Sequence, residues 1–185
     1  MDWVDFMYNI LVHPCDAMWE VCRRRHWVVV IAIVVCSGIS AAIATLLPVK
    51  FGFPSAGNML GVSTAMVILG VVLSWFMNAG ILHFFAGLWG GDGKASAFLA
   101  ASGISTFPLL FLVPLAIVSQ VAPLGALWFL LGLLAVAVWY VYLLIDAIST
   151  AYHMLPGRAV AVLLTPMLII LVAMLITAGV IGSVL

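Results

Sequence analysis

His83 and Asp146 are the residues of this chain with most chemistry to offer where they stand, an imidazole and a carboxylate at the edges of long apolar runs. Ionisable groups are expensive in hydrocarbon, so they tend to face a partner or a pathway. His83 lies on a helical stripe with Ala79 and Gly87, beside Ser74 and Asn78 at i, i+4 spacing. Asp146 ends a face formed by Gly132, Ala135, Trp139 and Tyr142. Small residues on both faces permit close approach, so His83 is expected to meet Asp146. Such a pair could respond to protons or to a metal near neutrality. The plainer reading, an interhelical hydrogen bond of ~1 kcal/mol, is preferred.

The other reactive residue types form no catalytic or ligand set. His13, His26, His83 and His153 lack the i, i+4 arrangement of a metal-binding helix. Cys15, Cys22 and Cys36 form no CxxC pair. Ser96, Ser102 and Ser105 have no neighbouring base in sequence, and no GxSxG occurs. No enzyme activity, metal or cofactor is therefore expected. The run Gly90-Gly91-Asp92-Gly93-Lys94 superficially resembles a phosphate loop but lacks the GxxxxGK[ST] spacing and a preceding strand. It is expected to be a turn, its glycines adopting positive φ.

The elements that must position these residues are membrane helices. Hydrophobic residues make up 67% of the 185-residue chain, charged residues 6%, with mean hydropathy +1.37; soluble domains carry roughly 25% charged residues. Apolar runs at Trp27–Leu47, Val62–Trp89, Phe98–Val121, Leu124–Ile145 and Ala159–Leu185 are each long enough to span a bilayer. An all-α bundle of five spans follows, because backbone groups in lipid must be satisfied within the segment. Pro108 and Pro114 should kink the third span and Pro166 the fifth. Pro123 predicts a tight hairpin between the third and fourth. Gly38 with Ala42, Ser37 with Ala41, and Ala178 with Gly182 mark small-residue seams for packing within one chain or self-association.

Residues 1–26 and 27–185 read as a cytosolic or interfacial segment and a membrane domain. Trp3, Phe6, Met7, Ile10 and Leu11 repeat at helical spacing away from Asp2, Asp5 and Asn9. This predicts an N-terminal interfacial amphipathic helix; the plainer reading, favoured by its acidic polar face, is a helix packed on the cytoplasmic ends of the bundle. Pro14 then opens a second short helix. The acidic start lacks the basic region of a cleavable signal, so the first span is expected to act as an uncleaved anchor. With the N-terminus in the cytoplasm, Arg23, Arg24, Arg25, Lys94 and Arg158 lie inside and only Lys50 outside. Five spans then put the C-terminus outside. A net charge of zero leaves no patch for nucleic acid.

A helix ending in Gly90-Gly91-Asp92-Gly93, followed by Gly103-Ile104-Ser105-Thr106-Phe107-Pro108 opening the next span, resembles the Yip family of integral membrane proteins (Ypt/Rab-interacting proteins). The stretch from Trp139 to Arg158, with Asp146-Ala147, is also similar. The resemblance covers most of the chain. It implies five helices with a cytosolic N-terminus and an outer C-terminus, and a membrane-organising or interaction-scaffold role. Eukaryotic members have longer cytosolic N-terminal regions linked to small GTPases. Only about 26 residues precede the first span here, which speaks against GTPase binding and is closer to the short prokaryotic members in an inner membrane. Expected partners are membrane lipid and other membrane proteins or further copies. The working residues would be Asn78, His83, Gly90, Gly91, Asp92, Gly93, Lys94, Gly103, Ser105, Pro108 and Asp146. A small transporter or pore component and an accessory subunit of a larger complex are the alternatives.

Overall fold

A segment in hydrocarbon cannot give its N–H and C=O groups to water, and a helix is the local way to pair them. In the computed structural model, which describes residues 14–24, 27–46 and 60–184, every regular element among those residues is helical. They are α1 (Pro14–Arg24), α2 (Trp27–Leu46), α3 (Leu60–Leu88), α4 (Ala95–Ser105), a 3₁₀ segment (Phe107–Phe111), α5 (Leu112–Val121), α6 (Gly125–Tyr152) and α7 (Pro156–Val184). Five stretches among them are long and apolar enough to cross a membrane. The amphipathic repeat of residues 3–11, Lys50, and the side chains of Ala178 and Gly182 lie outside what is described.

α1 begins at Pro14, whose missing N–H costs nothing in a first helical turn. It buries Met18 and Val21 and packs against α4 and α6. It therefore sits at the end of the bundle where α3 and α6 finish and α4 and α7 begin. The core is concentrated there. Phe98, Ala100, Ala101 and Ile104 of α4 meet Val30 and Val34 of α2, Ala86 of α3, and Leu143, Ala147 and Ile148 of α6.

The third span is broken more deeply than a kink. Its sequence runs from Ala95 to Val121, yet α4 stops at Ser105 and a 3₁₀ stretch carries Pro108 before α5 resumes. Pro114 is the third residue of α5. A proline leaves the carbonyl four residues earlier without its helical donor, here that of Leu110. The Ser40 hydroxyl of α2 donates to that oxygen at 3.0 Å. Pro166, by contrast, lies inside a helix that continues through it. The hairpin after Pro123 is as tight as expected: a Cβ on Gly125 would collide with the Ser119 carbonyl.

The fourth span extends to Tyr152, seven residues past the Ile145 expected from sequence. Asp146 is thus well inside the helix rather than at its edge, and is half-buried. The Gly38–Ala42 seam is used within the chain. Both residues are buried, and a Cβ on Gly38 would come to 3.2 Å from Val71 of α3.

Candidate functional site

Two clusters gather most of the residues singled out by sequence. The first is the break in the third span. Gly103 is glycine for space, since a Cβ would press into Val30 and come to 3.2 Å from the Trp75 ring. Ser105 is fully buried, its hydroxyl 3.1 Å from the Ala101 carbonyl and 3.2 Å from that of Leu143, so it ties α4 to α6. Pro108 is buried at the start of the 3₁₀ segment. Three further links were not anticipated. Ser37 donates to Thr106 Oγ1 at 3.2 Å, Trp75 Nε1 donates to Ser102 Oγ at 3.1 Å, and Ser40 reaches Leu110. The signal that could have found them is the density of Ser and Thr in apolar runs, because a buried hydroxyl must find a partner.

The second cluster is the end of the bundle beside α1. α3 closes with Gly91 N–H on the Ala86 carbonyl at 2.9 Å and Gly90 N–H on that of Gly87 at 3.1 Å. With Gly90 at φ +78°, this is a Schellman closure. The expectation of positive φ holds for Gly90 alone. Gly91 and Gly93 are glycines for another reason, the close approach of this turn to the end of α6. A Cβ on Gly91 would meet Met154 at 2.6 Å and Tyr152 Cβ at 3.0 Å, and one on Gly93 would meet the Ala151 carbonyl and the Tyr152 ring.

Tyr152 is the hub that sequence reading missed. It is buried, its ring lies 5.4 Å from that of Phe98, and its hydroxyl is 2.6 Å from His83 Nδ1. His83 is therefore partnered by Tyr152, not by the Asp146 expected from sequence. The reason is depth. Six residues separate Asp146 from Tyr152, about 9 Å along a helix and roughly a third of a turn away in facing direction. Asn78 does not join either cluster. It is exposed, and its side-chain amide donates to the Ser74 carbonyl of its own helix at 2.9 Å.

Asp92 and Lys94 are exposed on the turn. They line a half-open cleft of about 380 Å³ together with Trp19 and Arg23 of α1 and with Thr150 and His153 from the end of α6. Arg23 also lies over the Trp19 ring, 5.8 Å from its centroid. The buried hydroxyls of the first cluster bond to backbone or to one another, an arrangement that fastens helices. The second cluster adds charge and an opening to the outside.

Compared with known proteins, the chain is matched by the family model of the Yip1 domain over residues 8–177. No curated protein and no solved structure matches it.

Proposed function

The chain belongs to the Yip1 domain family, and we propose that it is a non-enzymatic membrane organiser, a scaffold that engages other membrane proteins through the α1 end of its bundle. The observation that carries this reading is the division of labour between the clusters. The polar groups of the third-span break are spent on holding α2, α4 and α6 together. The charged side chains of Arg23, Asp92 and Lys94 are exposed around α1 and the glycine turn. In this reading that end and the N-terminus face the cytoplasm and the C-terminus lies outside an inner membrane, an orientation supported by the bias of basic residues in the sequence.

The test is a photo-crosslinking residue placed at position 92, at position 158 or at position 168 of the full chain in native membranes. The scaffold reading expects discrete protein adducts from 92 and 158 and mainly lipid adducts from 168. A transporter would instead give solute- or proton-dependent flux in proteoliposomes, lost in Asp146→Asn while the fold persists. That result would replace the scaffold reading. Cysteine labelling checks orientation: positions 55 and 185 should react from outside and position 96 from the cytoplasm.

A further inference from the structure

We propose that the cleft between α1, the glycine turn and the end of α6 binds the phosphate headgroup of a singly anionic phospholipid. The cleft is lined by Arg23, Lys94, Asp92, His153, Thr150 and Trp19. Two full positive charges and one negative leave a net charge of +1, the complement of one phosphodiester. Arg23 and Lys94 supply charge-assisted donors to phosphate oxygens. Asp92 and Thr150 offer an acceptor and a hydroxyl to headgroup alcohols. A volume of about 380 Å³ falls within the usual range of small-ligand clefts, roughly 300–1,000 Å³.

His153 adds an independent observation. It closes α6 in the left-handed region at φ 52°, with Met154 N–H on the Ser149 carbonyl at 3.1 Å. Glycine is the residue usually found at this position of a helix end, and Gly90 holds it at the neighbouring end of α3. At α6 a strained histidine stands there instead, and it lines the cleft. The location agrees: Trp19 is 57% exposed beside Arg23, as an aromatic at headgroup depth would be. On the orientation proposed above, on which this step rests, this end lies against the leaflet that carries anionic lipid.

Phosphate could also arrive as a soluble ester, but a cleft at the ends of membrane helices points to lipid. The full chain in uncharged detergent is melted while palmitoyl-oleoyl phosphatidylglycerol, phosphatidylcholine or glycerol 3-phosphate is added. Saturable stabilisation by phosphatidylglycerol alone is expected, with half-saturation raised roughly tenfold or more in Arg23→Ala/Lys94→Ala. Arg158→Ala, at the same end but outside the cleft, should leave it unchanged. His153→Gly is the sharper variant: it should raise the melting temperature without lipid, by relieving the backbone, and still weaken the lipid response severalfold. If the double variant does not fold, Lys94→Gln takes its place. Equal stabilisation by phosphatidylcholine, an equal loss in Arg158→Ala, or saturation by glycerol 3-phosphate at the same concentration would each overturn the proposal. Protein adducts from position 158, which lies outside the cleft, do not depend on this outcome, so the scaffold reading and the lipid site can fail separately.

Discussion

The third and fifth spans are both apolar and both contain proline, yet they solve opposite problems. About half of the third span, Ala95–Val121, is buried inside the bundle, whereas in the fifth, Pro156–Thr177, only Ala159 and Val162 are. The third is divided into α4, a 3₁₀ segment and α5, and its exposed backbone is served by neighbours, as Ser40 serves Leu110. The fifth runs unbroken past Pro166, and from Met167 to Ile176 every side chain faces outward. Proline content therefore does not decide where a membrane helix comes apart. A break persists where adjacent helices bring hydroxyls and close packing to it, which a lipid-facing helix lacks.

This contrast is broken most severely at Gly103. Leucine there must displace Val30 and the Trp75 ring, and Gly103→Leu should cost about 3 kcal/mol or prevent folding, the upper end of overpacking. Gly157→Leu in the fifth span, with no atom within 4 Å of an added Cβ, should fold at wild-type yield. Unfolding in mixed micelles with increasing sodium dodecyl sulfate compares the two. If both variants unfold alike, packing does not distinguish these spans.

A smaller loss is expected from Ser40→Ala, which removes the donor to the Leu110 carbonyl and should cost about 1–2 kcal/mol for a buried acceptor left unpaired. The same assay applied to Thr177→Ala, whose hydroxyl bonds only to its own helix at Ala173, should show almost nothing. At the bundle end, Tyr152→Phe keeps the ring against Phe98 but loses the bond to His83. About 1 kcal/mol should disappear, and Tyr152→Ala should do several times more damage through lost packing. The smallest effect belongs to the lipid face. Ile169→Leu, at an exposed site, should stay within about 0.5 kcal/mol, and a larger change would mean that this face is covered by something denser than lipid.

Much of this was legible without coordinates. Hydrophobic thickness acts on each segment separately, so the five spans, the short helix beginning at Pro14 and the tight turn after Pro123 follow from local composition. The Gly90-to-Lys94 turn and the Gly103, Ser105 and Pro108 element were recognisable as special for the same reason, because glycine and proline mark backbone demands wherever they stand. What was not legible is how the helices stand relative to one another. The fourth span runs on to Tyr152, which moved Asp146 inward and gave His83 a phenol in place of a carboxylate. Gly91 and Gly93 answer to a side chain some 60 residues away rather than to their own φ, and Ser40 completes a backbone 70 residues further on. Composition determines that a segment is helical and buried in lipid. Depth and rotation, on which every one of these pairings depends, come only from the mutual packing of helices distant in the chain.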